Sequence, residues 1–307
     1  MSDKKDTTGN QRFDTLYHFT NGNLASSTRD TNDNGRINIW TLYENNLPVE
    51  QKQDENEDNI MDSLLIFDTE GELKQSFKDP HAEGKFRITG FYEKGELKQQ
   101  HQDTNEDGKP DYYAAYDEAG LFLTIREDTQ KKGYIDRVRH YRAGRLFKVE
   151  TDTDGNQIFE TVSLIKKDKV FKNIIDKNQD GRPDAEVFFD ENSDGLVECV
   201  EHYTQTGTLE RLEEKNQGIT ILTWFYDEQE LLVRGEEDRN RDGMVEIRYL
   251  YEKGILKCVQ EDNNKDGKPD LWEESDETQA VVKREKDLDF DGIPDFVDAK
   301  EQVAAGS

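Results

Sequence analysis

Short runs rich in β-branched and aromatic residues recur along the whole chain, separated by polar stretches of Asp, Asn and Gly. Ile247-Arg248-Tyr249-Leu250-Tyr251 and Ile221-Leu222-Thr223-Trp224-Phe225-Tyr226 are two of them. Runs of this length and composition predict strands of five or six residues. Tyr43, Phe67, Tyr92, Tyr116, Tyr141, Phe189, Tyr203, Tyr226 and Tyr251 form one fixed column. Leu65, Ala114, Val187, Trp224 and Tyr249 stand two positions earlier and therefore share its face. The opposite parity holds Leu42, Ile66, Phe91, Phe188, Phe225 and Leu250, so both faces are partly apolar. A sheet wet on one side would alternate more cleanly.

The strands repeat with a period. Turn residues fall at Gly22, Asn46, Gly71, Gly95, Gly120 and Gly144, in steps of 24 or 25, and again at Gly207, Glu230 and Gly254, in steps of 23 and 24. Eight residues after each turn a polar loop begins, at Asp30, Asp54, Asp79, Asp103, Asp128, Asp152, Lys215, Asp238 and Asp262. Self-similarity at this spacing marks a repeat architecture. The expected fold is all-β: a repetitive antiparallel β-hairpin meander forming an elongated coiled ribbon or superhelix, with a β-propeller as the alternative. A propeller blade would use two repeats and impose a period near 48, which the sequence lacks. Metal loops are expected at one end of the strands and glycine turns at the other. The expected organisation is a flexible N-terminal tether over 1–12, one repeat domain over 13–298 and a flexible tail over 299–307.

Six loops carry the phrase D-x-[N/D]-x-D-G-x-x-[D/E]. They are Asp103-Asn105-Asp107-Gly108-Asp111, Asp176-Asn178-Asp180-Gly181-Asp184, Asp190-Asn192-Asp194-Gly195-Glu198, Asp238-Asn240-Asp242-Gly243-Glu246, Asp262-Asn264-Asp266-Gly267-Asp270 and Asp287-Asp289-Asp291-Gly292-Asp295. Ca²⁺ takes six to eight oxygens, and side chains at positions 1, 3, 5 and 9 with a carbonyl at 7 can wrap one ion around the turn at position 6. Asp30, Asn32, Asn34 and Asn38 keep every oxygen but one charge. The loop Asp54-Asn56-Asp58-Asn59-Asp62 puts Asn where glycine belongs, and Asn also visits positive φ. These two are second-tier sites, so about six to eight Ca²⁺ are expected. The Asp79 and Asp128 loops, with His81 and Lys132 among their ligand positions, keep the geometry and lose the ion. At Asp152 and Lys215 the glycines Gly155 and Gly218 arrive two residues early, which reads as plain turns. Between the Asp176 and Asp190 loops lies only Ala185–Phe189, an inserted short strand.

Lys plus Arg number 41 and Asp plus Glu 69, a net charge of −28, and 32% of residues are hydrophobic. That composition alone would imply disorder, so a bound cation is expected to complete the fold. No basic stripe exists to meet phosphate, which disfavours nucleic acid. Met1-Ser2-Asp3-Lys4-Lys5 reads like the mature start of a bacterial lipoprotein with Met1 in place of the lipidated cysteine, so a membrane is expected only through such an anchor. Loops of this grade suit millimolar calcium, which places the chain outside the cytoplasm, in a bacterial outer membrane, periplasm or cell surface. Cys199 and Cys258 read as unpaired thiols. His18, His81, His101, His140 and His202 are scattered, and no nucleophile motif, phosphate loop or zinc spacing appears, so no enzyme is expected.

The loops resemble the calcium loops of thrombospondin type 3 repeats and of integrin-type β-propeller hairpins. The endings Gly108-Lys109-Pro110-Asp111 and Gly267-Lys268-Pro269-Asp270 look most like the former. Stretches such as Tyr116-Asp117-Glu118-Ala119-Gly120-Leu121 resemble the YD repeats of bacterial shell-forming surface proteins. The chain lacks thrombospondin cysteines, propeller F-G signatures and the position-12 Glu of EF-hands, where Ala114, Val187 and Tyr249 stand. The resemblance implies calcium-stabilised extracellular architecture. The functional expectation is a structural or adhesive interaction module with a protein or surface-glycan partner. The alternative is a calcium-dependent carbohydrate-binding module or glycan-active enzyme, with exposed Trp40, Trp224 and Trp272 stacking on sugar rings.

Overall fold

The computed structural model describes residues 1–189 and 196–299, all of it strands, turns and loops with no helix. The chain divides into two units, residues 1–159 and 160–307. The first holds β1 (Ser2–Lys5) to β13 (Arg145–Thr151), and the second β14 (Thr161–Lys166) to β25 (Phe296–Ala299). Within each unit every strand pairs antiparallel with the next along the chain, without a break into blades. Each unit is thus an open hairpin meander, as the repeat predicts, and not a propeller.

Two features recur along the hairpins. The two-residue turns put both residues at positive φ, as in Asn21-Gly22, Lys94-Gly95, Gln217-Gly218 and Lys253-Gly254. That is the backbone of a type I′ turn, whose twist matches the flanking strands. A register shift falls immediately before the aromatic column, at Leu42/Tyr43, Phe91/Tyr92, Phe225/Tyr226 and Leu250/Tyr251. Such bulges increase local twist, so the column marks where each hairpin coils. Tyr43 and Tyr92 then reach back to Ser27 and Ser76 on the preceding, paired strand, hydroxyl to hydroxyl at 3.2 Å.

Burial is concentrated at the loops. Among the described residues the buried apolar ones are Ala114, Ile125, Val138 and Ile247, whereas Asp30, Asn38, Asp54, Asp79, Asp111, Asp128, Asp136, Asp152, Asp238, Asp262, Asp270 and Asp287 are all buried. The loops stack by a backbone ladder. The first residue of each donates its N–H to the ninth residue of the loop before, from Asp54 to Asn38, Asp103 to Arg87, Asp128 to Asp111, Asp262 to Glu246 and Asp287 to Asp270 at 2.8–3.0 Å.

The expected boundaries shift at the N-terminus. Residues 2–5, read from sequence as tether, form β1 paired with β2 (Thr15–Thr20), because the loop that follows folds them back. Residues 300–307 of the expected tail lie outside the described residues. In the second unit the expectation that loops gather at one end fails. The inserted strand β16 (Ala185–Phe189) adds one reversal, so the Asp176 loop sits at one end and the Asp238, Asp262 and Asp287 loops at the other.

Candidate metal centre

Each described loop of the six-fold phrase folds by the same hydrogen bonds. In the Asp103 loop, Asp103 Oδ2 accepts the N–H of Gly108 at 2.9 Å and its Oδ1 that of Glu106 at 2.7 Å. Asn105 Oδ1 accepts from Asp107 at 3.0 Å, and Asp107 Oδ1 from Lys109 at 2.8 Å. Asp111 closes the ring, its Oδ2 accepting from Thr104 and Asn105 at 3.1 and 3.0 Å. The Asp176, Asp238, Asp262 and Asp287 loops repeat this scheme. Glycine best suits the sixth position, where Gly108, Gly181, Gly243, Gly267 and Gly292 have φ of 87–91°.

Two sets of carboxylates converge within the second unit. Ligand oxygens of Asp238, Asp242 and Glu246 lie within 4.8 Å of one another, as do those of Asp287, Asp289 and Asp295. Oxygens on opposite sides of one Ca²⁺ are about 4.8 Å apart, so either set spans an ion of that size. Both sites are acidic groups able to hold a metal. Although a backbone bond from Asp291 lowers the Asp289 carboxyl, the charges of Asp291 and Asp295, burial and Asp287 together push it above its ordinary value. Empty, the loop repels itself. The acids of the Asp103, Asp176 and Asp262 loops do not converge to that degree among the described residues. Asp190, Asn192 and Asp194 lie outside the described residues, and Glu198 stands in β17 (Val197–Tyr203).

A cross-loop contact absent from the sequence reading separates these sites. The fourth residue of a loop reaches into the loop before it. Lys265 Nζ lies 2.5 Å from Asp242 Oδ2 and 3.3 Å from Glu246 Oε1, and this hydrogen bond is the main reason the Asp242 carboxyl falls below its usual range. Lys131 Nζ lies 2.9 Å from Asp111 Oδ2. In the Asp79 loop a buried guanidinium plays this part from within, Arg87 contacting Glu83 at 2.6 Å and Glu106 of the next loop at 3.0 Å. An ammonium or guanidinium neutralises the acids much as a metal would. Conversely, Glu57 brings an acid to the singly charged Asp30 loop, its oxygens 2.7 and 2.6 Å from Asn34 Nδ2. Replacing Lys265 with Gln should raise calcium affinity at the Asp238 loop by up to about fivefold, the worth of a half-exposed ion pair. Calorimetric titration of the variant against the parent reads this, and unchanged affinity would show that the lysine does not compete.

Two loops were hidden from the sequence. Residues 6–14 form one in which Gln11, at φ 69°, takes the glycine's place and donates to Asp6 Oδ2 at 2.7 Å. The Asp152 loop, read as a plain turn, folds likewise, with Gln157 at φ 71° donating to Asp152 Oδ2 at 2.8 Å. Counting registers from Asp rather than Gly would have found both. At Lys215 the plain-turn reading agrees with the Gln217-Gly218 hairpin.

Other residues are structural. The three tryptophans are half-buried, not exposed. Trp224 lies over Gly235, where an added Cβ would meet its ring at 2.5 Å, and within 6.3 Å of the Tyr249 and Tyr251 rings. His140 and His202 share a slot, each facing a neighbouring-strand glutamate, Glu150 at 2.7 Å and Glu213 at 3.1 Å. His101 stacks between Phe91 and Tyr113, and burial pulls it below its ordinary value. Cys199 and Cys258 are free, and burial raises both thiols.

No protein-family model and no curated protein matches the chain. Among solved structures it is similar to part of a GtfA/B complex, at 15% identity over 34% of this chain and 18% of that one, with a TM-score of 0.23. A TcdB2-TccC3-TEV structure shares 16% identity over 93% of this chain and 16% of that one, TM-score 0.22. The Photorhabdus luminescens Tc holotoxin pore shares 13% over 93% and 22%, TM-score 0.19. The chain spans less than a quarter of the length of each, and superpositions this loose carry no argument about function.

Proposed function

We propose that this chain is an extracytoplasmic calcium-binding β-hairpin repeat protein that acts as a structural or adhesive interaction module. The observation that carries the reading is the gathering of Asp287, Asp289 and Asp295 within 4.8 Å in a loop whose backbone already fixes them. Hard carboxylate oxygens at that spacing favour Ca²⁺ over the smaller Mg²⁺, which demands near-ideal octahedral geometry. Calcium at the loops would hold the hairpins in register and leave the half-apolar sheet faces to meet a partner, a protein or a surface glycan.

A glycan partner draws support from one place in the first unit. A cleft of about 550 Å³ is lined by Phe67, Tyr92, Glu44, Asp68, Lys74 and Glu93, apolar rings beside hydrogen-bonding groups, which suits a sugar. Presenting the chain to arrays of surface glycans and of purified envelope proteins, with calcium and with chelator, tests the module. Saturable binding that is lost in chelator is expected. Binding equal in both conditions would remove calcium from the function, and no binding to either array would remove the adhesive role.

A further inference from the structure

The carboxylate of Asp54 points to a site that the sequence ranks only in the second tier, with Asn59 where glycine belongs. Asp54 opens the loop between β5 (Leu47–Gln53) and β6 (Ser63–Phe67) and is 3% exposed. Its Oδ2 accepts the N–H of Asn59 at 2.9 Å, which holds the carboxylate inside the loop. Its Oδ1 is buried and has no hydrogen-bond partner. In the Asp103, Asp176, Asp238, Asp262 and Asp287 loops the first residue's Oδ1 takes the N–H of the fourth residue at 2.6–2.8 Å. The Asp54 loop lacks that bond, so an anionic oxygen stripped of water faces no donor. Buried charge is tolerated only when it is paired, hydrogen-bonded or bound to a metal.

The loop's other ligand positions carry oxygen donors, although Asp54, Asp58 and Asp62 do not converge within 4.8 Å of one another among the described residues. Asn56, Asp58 and Asp62 occupy the third, fifth and ninth positions, and Asp58 Oδ2 also accepts from Asn56 Nδ2 at 3.0 Å. Asn56 Oδ1 accepts from Asp58 at 2.9 Å, Asp58 Oδ1 from Ile60 at 2.7 Å, and Asp62 Oδ2 from Glu55 and Asn56 at 2.5 and 3.2 Å. Asn59, at φ 71°, makes the turn that glycine makes elsewhere. Unlike the Asp103 and Asp238 loops, this one has no ion pair from a basic side chain to Asp54, Asp58 or Asp62 among the described residues.

We propose that the Asp54 loop is a calcium site with Asp54 Oδ1 as its innermost ligand, an assignment that rests on the reading of these loops as calcium loops. Native mass spectrometry in calcium should show Asp54→Asn carrying one ion fewer than the parent, since the amide keeps an acceptor for Asn59 and loses the charge. Asp58→Asn, on the exposed rim, should lose the same ion and serves if Asp54→Asn does not fold by circular dichroism. A parent that binds calcium elsewhere, with the folded variants keeping the full count, would overturn this site alone. A parent that binds no calcium would overturn the general reading and this site together.

Discussion

Chelation of calcium should lower the melting temperature by about 15–30 °C or unfold the chain outright. A site filled at 100 times its dissociation constant adds about 2.7 kcal/mol to the folded state. Three such sites in one unit add about 8 kcal/mol, comparable to the whole net stability of an ordinary domain. For units of this length each kcal/mol is worth about 2–4 °C. The dependence is strong because the best-buried groups here are carboxylates, from Asp30 to Asp287, and they have few apolar neighbours to compensate when the loops are empty. Differential scanning calorimetry with and without EGTA reads the shift directly. A melting temperature unmoved by chelator would mean that backbone donors and the lysine contacts alone hold the loops.

Ile247→Ala should be the most damaging apolar substitution in the second unit, costing about 2–5 kcal/mol. Ile247 is 2% exposed and opens β21 (Ile247–Glu252) directly after the loop acid Glu246, paired on either side with Glu237 and Glu261. It therefore ties the Asp238 loop to the sheet, and a cavity there loosens both. Limited proteolysis should show new cuts after residue 160 while the first unit stays intact. A cost below about 1 kcal/mol by denaturant titration would place the unit's stability in its loops and turns, not in apolar packing.

The meander was legible because its signals are local and repeated. A turn, an eight-residue step, a loop and an aromatic column recur often enough that chance departures such as Asn46 or Glu230 do not obscure the register. The position of the loops in space was not legible in the same way. One extra strand, Ala185–Phe189, reverses which end later loops occupy; the sequence shows the insertion, and the pairing confirms that it shifts the later loops. The Asp6 and Asp152 loops were missed because glutamine, not glycine, turns the chain at Gln11 and Gln157, at a conformational cost that their hydrogen bonds repay. Lys131, Lys265, Glu57 and Glu106 were invisible as site residues because each acts on the loop one repeat away, which position within its own loop cannot show. The orphaned oxygen of Asp54 is likewise a property of three-dimensional burial.

The central claim is that the loops hold calcium, and native mass spectrometry across a calcium titration counts the ions directly. The account predicts a ladder of adducts reaching at least about six Ca²⁺, with the lysine-closed Asp103 and Asp238 loops filling last and Mg²⁺ failing to reproduce the ladder. Two or fewer ions at millimolar calcium would contradict it, leaving the carboxylates as hydrogen-bond acceptors that shape turns and nothing more.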